Sequence, residues 1–534
     1  MKYTATIFAL AALAAACSER PAAEADYNVV PLPAEINLAD AGAFRMSPDT
    51  RLVATDSAQM VNARLFAGYV ETLTGFRPEI TAEAPRKNYI RLAATAGSAK
   101  PEGYTIIVTA DSIVVDGADA AGTFYGLQTL RKAIHSGRGE DVLYPAATIA
   151  DAPRFAYRGG HFDCVRHFFP VDSVKTYIDM LALHNINRFH WHLTDDQGWR
   201  MEVKSRPQLT CKGSMRSGTI IGMTEECDSI PVGGYYTREQ MRDIVAYAAD
   251  RHITVIPEID LPGHMVAALS CYPELGCTRG PYEVMRRWGV SSDILCAGND
   301  SVYTFLDDVL DELTEIFPSE LVHIGGDEAP HTRWENCPRC QAKIRALGLR
   351  DEGKVTAEQK LQNYVMKYAA DRMASKGRRV ICWDEIIDNG FDTTAVVMSW
   401  RGPADGGQDG AKMGYQVIKA PNTHLYFDYQ YAEGDTVSAP YWRKIPLDSV
   451  YLYNPVPASL TSAEAANVIG VQGNLWTEFI PTFSDAQYMA LPRMAALSEL
   501  QWCSTPKDFE AFKKRLEGLL RIYEAEGYNY RPIE

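Results

Sequence analysis

The stretch Leu321-Val322-His323-Ile324-Gly325-Gly326-Asp327-Glu328 opens as a short apolar run and closes on two glycines and two neighbouring acids. A run of that length bounded by glycine reads as a buried strand with the acids at its carboxyl end. The same unit recurs. Apolar runs at 155–159, 187–193, 253–258, 321–325, 379–383, 395–400, 416–420 and 468–472 predict eight strands. Between most of them, at 172–184, 237–250, 302–317 and 358–376, apolar residues fall three or four apart, the spacing of an amphipathic helix. Buried strands alternating with helices predict an α/β fold built on a parallel (β/α)8 TIM barrel. The intervals after the second and third strands are long, and insertions there shape the mouth of a barrel. A helix over 486–500 closes the barrel, and one over 508–523 packs outside it.

Ahead of the barrel, residues 27–150 show a mixed pattern. Two short strands in 104–115 flank a turn at Asp111, and a helix over 120–134 aligns Phe124, Leu127, Leu130 and Ile134 on one face. A smaller α+β domain is expected there, with a boundary at 151–154 and the catalytic barrel over 151–534. At the start, Lys2, an apolar run over 7–16 and small residues up to Cys17 form a secretory signal too short to span a bilayer. The pattern resembles a bacterial lipoprotein signal in which Cys17 carries the lipid, although Leu13 sits one place early; a plain secretory signal cut nearby is the alternative. Residues 18–26 then make a tether. The expected location is outside the cytosol, in the periplasm or on the outer membrane or cell surface, with membrane attachment only through Cys17.

The net charge of −15 argues against nucleic acid as a partner; neutral sugars are compatible with it, although net charge does not select them. Among eleven cysteines, Cys337 and Cys340 form a CPRC pair. A zinc site needs a second pair, and none stands at a suitable spacing, so the expectation is a local disulfide or two free thiols, with no metal or cofactor. Cys271, Cys277 and Cys296 can also pair, but sequence does not fix connectivity.

Barrel enzymes place their chemistry at the carboxyl ends of the strands. There this chain sets Arg158, His161 and Asp163; Asp195 and Asp196; Glu258, Asp260 and His264; Asp327 and Glu328; Trp383, Asp384 and Glu385; Trp400 and Arg401; Tyr426 and Asp428; Trp476 and Glu478. Singly, an aspartate there caps a helix and a tryptophan fills core; convergence on one face favours a site. Adjacent strand residues point to opposite faces, but Gly325-Gly326 can break that alternation and bring both acids into one pocket. Two close carboxylates repel, which keeps one protonated, and glycosyl transfer needs an acid beside a charge-stabilising carboxylate. Trp383, Trp400 and Trp476 suit the flat faces of sugar rings, and Arg158 and Glu478 suit their hydroxyls.

Six ordered motifs, HIGGDE at 323–328, PEIDLPGH at 257–264, HWHLTDDQGWR at 190–200, CWDE at 382–385, MSW at 398–400 and GNLWTE at 473–478, resemble the signature of glycoside hydrolase family 20, the β-N-acetylhexosaminidases. The resemblance runs through nearly the whole chain. It implies exo-acting release of N-acetylglucosamine or N-acetylgalactosamine from oligosaccharides or glycoconjugates by a retaining, substrate-assisted mechanism. In it Glu328 is the general acid and base, Asp327 orients the substrate's acetamido group, and Tyr426 bonds its carbonyl. Trp383, Trp400 and Trp476 wall the pocket, and Arg158, Asp428 and Glu478 grip the outer hydroxyls. His264 with Asp195 or Asp196, Asp195 being preferred, tunes Glu328. Phe427 replaces the family's usual leucine. The alternatives are a disaccharide-releasing enzyme similar to the lacto-N-biosidases, against which Arg158 and Glu478 argue, and a glycan-binding lipoprotein without catalysis.

Overall fold

The structure is a computed structural model that describes residues 20–97, 100–402, 406–435 and 443–533. The signal over 1–17, with Cys17, lies outside the described residues. Eight parallel strands close a barrel: β1 (Tyr157–Asp163), β2 (Arg188–His192), β3 (Thr254–Leu261), β4 (Leu321–Gly325), β5 (Arg379–Trp383), β6 (Val396–Ser399), β7 (Gln416–Lys419) and β8 (Val468–Gly473). They pair in chain order, and β8 returns to β1 with Gly470 opposite Tyr157. Inside the barrel, Tyr157, Ile256, Ile381, Trp383, Val396, Met398 and Ile418 form one apolar cluster, as the short buried runs require.

Helices Val171–Leu183, Arg238–Ala249, Asp300–Ile316 and Ala357–Ser375 cover the outside. Thr237 with Gln240, and Thr356 with Gln359, form capping boxes that fix where two of them begin. The expected single closing helix is two, Phe483–Ala490 and Arg493–Trp502, because Pro492 has no N–H with which to continue the first.

One strand departs from expectation in a way that matters. β1 begins and ends later than 155–159 because Gly159 and Gly160 lie inside it, not at its end. A Cβ on Gly160 would stand 2.5 Å from Leu181, and one on Gly159 would stand 2.6 Å from Gln472. The glycines mark close packing against a helix and β8. Arg158 therefore sits at the amino end of β1, on the side of the barrel opposite its mouth.

The N-terminal domain is an eight-stranded sheet with helices Ser57–Thr74 and Ala120–Ala133. Tyr104–Val108 pairs antiparallel with both Ser112–Gly117 and Asp141–Asp151. The expected tether is partly built into this sheet: Ala22–Glu24 adds a parallel strand with Ala22 opposite Asp141, and Arg20 pairs with Asp141 at 3.0 Å. Small residues there leave the main chain free to complete the edge. The domain meets the barrel at Arg158, which is fully buried. Its guanidinium pairs with Glu102 at 2.7 Å and donates to Tyr125 Oη at 3.0 Å and to the Asn185 carbonyl at 2.8 Å. Finally, the CPRC pair does not stand alone, because Cys277 and Cys296 reach it from the loop after β3.

Candidate active site

At the end of β4 the backbone turns through Gly325 (φ 67°) and Gly326 (φ 108°), and Glu328 itself lies at φ 42°. A Cβ on Gly325 would fall 1.7 Å from Asp260 Oδ1, so only glycine fits. The turn ends the strand alternation, and Asp327 and Glu328 both line one cavity of about 500 Å³ at the carboxyl ends of the strands.

The acids differ in setting. Asp327 is largely buried, whereas the Glu328 side chain is 41% exposed. Burial pushes Asp327 up to about 6; Glu328 and Glu258 add to the rise and His264 opposes it. His264 Nε2 lies 3.6 Å from Glu328 Oε2 and 3.8 Å from Asp327 Oδ2. Its Nδ1 lies 3.1 Å from Asp195 Oδ1 and 3.4 Å from Asp196 Oδ2. Asp195 is the member of that pair in the longer chain: its Oδ2 is 2.9 Å from His192 Nε2 and 2.8 Å from Arg166, while Asp196 Oδ1 accepts the Val266 N–H at 3.0 Å. His192 in turn contacts Glu258, which His190 and His323 also meet at 3.1 Å and 2.8 Å. Burial disfavours charge on His264, but Asp195, Asp196 and Glu328 together outweigh it and raise the imidazole well above its usual range. An imidazolium so placed stabilises negative charge appearing on Glu328.

Aromatic rings enclose the rest of the cavity. Trp400 stacks on Tyr426 with ring centres 6.4 Å apart at 22°, and Trp476 lies 6.0 Å from Trp383. Two indoles are anchored through Nε1–H, Trp383 to Glu258 at 3.0 Å and Trp400 to Glu385 at 3.1 Å. Glu385, at the end of β5, orients this ring through both carboxylate oxygens. Asp428 and Glu478 line the cavity as well. Burial, then Glu478, holds Asp428 well above the usual carboxylate range.

Of the residues expected at the site, Asp327, Glu328, Tyr426, His264, Trp383, Trp400, Asp428, Trp476 and Glu478 line the cavity, and Asp195 stands behind His264. Arg158 does not reach it. The arginine that does is Arg166, held by Asp163 at 3.2 Å and Asp195 at 2.8 Å, 3.9 Å from Glu478 and 4.9 Å from the centre of the Trp476 ring. With β1 ending at Asp163, Arg166 falls just past the strand, where a correct strand boundary would have found it. Sequence reasoning also passed over Trp288, Tyr429 and Phe479. The segment between Cys211 and Cys227, which carries no motif, brings Ile220 and Gly222 to the mouth.

The sequence profile of glycosyl hydrolase family 20, catalytic domain, matches residues 155–505, and that of the family's domain 2 matches residues 26–152. The chain belongs to glycosyl hydrolase family 20. It is 39% identical over 533 residues to a beta-hexosaminidase of Porphyromonas gingivalis, covering 96% of this chain and 66% of that protein, just under two thirds of its length. The family 20 beta-N-acetylhexosaminidase structure from Streptomyces coelicolor A3(2) superposes with a TM-score of 0.82 at 31% identity, covering 95% of this chain and 97% of that one. An exo beta-N-acetylglucosaminidase from Vibrio harveyi, solved with N-acetylglucosamine, superposes with a TM-score of 0.83 at 30% identity over 96% of this chain and 80% of that one. As a family 20 chain it carries the domain 2 and barrel arrangement together.

Proposed function

We propose that this chain is an exo-acting β-N-acetylhexosaminidase that releases terminal N-acetylglucosamine or N-acetylgalactosamine from non-reducing ends, with retention, by using the substrate's acetamido group as nucleophile. One observation carries the reading. Asp327 Oδ1 is a buried acceptor with no hydrogen-bond partner among the described residues, set in the cavity lined by Tyr426, Trp383, Trp400 and Trp476. An amide N–H is the donor such an atom needs, and indole walls suit an acetyl methyl group.

The steps follow. The Tyr426 hydroxyl donates to the acetamido carbonyl and holds its oxygen in line with the anomeric carbon. That oxygen attacks as the glycosidic bond breaks, and Glu328 gives its proton to the leaving oxygen. Asp327 accepts the amide N–H and stabilises the positive charge of the oxazolinium ring. Glu328, now ionised and steadied by His264, takes a proton from water, which opens the ring at the anomeric carbon and restores the acetamide. Arg166, Asp428 and Glu478 supply hydrogen-bonding partners for the hydroxyls of a single terminal sugar, which supports exo action over release of a disaccharide.

Glu328→Gln should lower turnover of an aryl N-acetyl-β-glucosaminide by about 10²–10⁴-fold, the usual worth of general acid–base catalysis. Binding of the cyclised-acetamide analogue should persist. Full activity in this variant would refute the role of Glu328.

Export with a lipid on Cys17 is also our reading, supported by the signal pattern at 1–17. No helix among the described residues is long and apolar enough to cross a membrane. Cys17→Ala should move the protein from the membrane pellet to the soluble fraction; unchanged fractionation would count against the lipid.

A further inference from the structure

We propose that Cys277, Cys296, Cys337 and Cys340 form a tetrahedral zinc site that staples together the two loops flanking the catalytic acids. The four sulfur atoms lie within 4.8 Å of one another, with Cys277–Cys340 at 3.8 Å, Cys296–Cys337 at 3.7 Å and Cys296–Cys340 at 3.6 Å. Zinc bonded to four thiolates at about 2.3 Å sets the sulfurs roughly 3.8 Å apart. A disulfide needs about 2.05 Å, and two disulfides would use only two of the three close contacts. Cys296, Cys337 and Cys340 are buried and Cys277 is partly exposed, which leaves one side for metal entry. An all-sulfur donor set favours zinc over calcium or magnesium.

The surroundings fit a bound dication with four thiolates, a centre of net charge −2. Arg339, in the first turn of helix Pro338–Leu347, places its positive charge close to Cys296, Cys337 and Cys277. Such contacts orient and partly neutralise ligating sulfurs. A Cβ on Gly298 would stand 2.2 Å from the Arg339 carbonyl carbon, so this loop rests directly on the start of helix Pro338–Leu347. Binding exchanges four thiol protons for one Zn²⁺, with no change in oxidation state. Outside the cytosol, thiols this close are exposed to oxidation, and coordination protects them.

The site joins two segments that matter. Cys277 and Cys296 belong to the loop after β3, which also carries His264 and Trp288. Cys337 and Cys340 follow β4 and its Asp327-Glu328. The Trp334 indole N–H donates to the Leu295 carbonyl at 2.9 Å, and Arg339 donates to the Gly276 carbonyl at 3.1 Å, so the loops are already in register for a metal to lock.

The test uses the full chain purified without chelator or reductant. Elemental analysis should find one zinc per chain. Alkylation in denaturant with chelator, but no reductant, should label all four cysteines in the intact mass. Cobalt exchanged for zinc should show intense thiolate charge-transfer and visible bands of a tetrahedral site. Chelation should lower the melting temperature, and zinc but not magnesium should restore it. The paired variant Cys296→Ser with Cys340→Ser should hold far less than one zinc; the wild-type measurements stand if it fails to fold. Four cysteines that resist alkylation until reduced would show two disulfides and overturn the proposal. So would four free thiols that take up no stoichiometric zinc or cobalt.

Discussion

In the proposed mechanism the charge state of Asp327 sets the chemistry. Only the ionised carboxylate stabilises a cationic acetamido nitrogen, and burial has moved its pKa from 3.8 to about 6. The acid limb of kcat/KM should therefore fall about tenfold per pH unit below that value. Asp327→Asn should lose most activity and this limb with it, as read from a pH–rate profile; an unchanged limb would assign it elsewhere. The stability sign is opposite. A folded carboxyl pKa above its ordinary value means that the native state binds the proton more tightly, so this group's stabilisation is full below 3.8 and is lost as pH rises through about 6. Asp327→Asn should therefore melt no lower than the parent at pH 7, the pattern of a site that trades stability for function.

At the scale of elements, the turn after β4 holds both acids in one cavity. Gly325→Ala would bring a Cβ to 1.7 Å from Asp260 Oδ1 at a φ of 67°. It should cost on the order of 1–3 kcal/mol in urea unfolding and lower kcat well beyond that loss of folded protein. Wild-type turnover would show that the turn does not position the acids. Most of the elements were legible, because buried strands and amphipathic helices write their periods locally: β4 and β5 start and end where their apolar runs do. β1 did not, because Gly159-Gly160 looks like a stop locally and is a packing contact globally; that shift hid Arg166 and promoted Arg158. The mouth was illegible for a related reason. Its loops are held by distant partners, the Ile220 N–H by the Arg286 carbonyl and the Met285 N–H by the Asp196 carbonyl, and the four cysteines meet only once those loops fold.

At the scale of the whole molecule, Arg158 and Arg166 separate assembly from catalysis. Arg158 joins the N-terminal domain to the barrel through Glu102, so Arg158→Met should lower unfolding free energy by about 3 kcal/mol, as for a broken buried pair, with KM nearly unchanged in the folded protein. Arg166→Met should raise KM instead, since its guanidinium lines the cavity beside Glu478. The reverse pattern would return Arg158 to the substrate. The two-domain plan was legible from the change of rhythm near 151–154, whereas the edge strand Ala22–Glu24 was not, since main-chain pairing leaves little trace in side chains. The most direct test is to compare the purified full chain on an aryl N-acetyl-β-glucosaminide and on the matching aryl β-glucoside, which differs at the 2-position alone. If the acetamide is the nucleophile that Asp327 and Tyr426 position, the N-acetyl sugar is hydrolysed and the glucoside is not measurably cleaved. Comparable rates on both would contradict it.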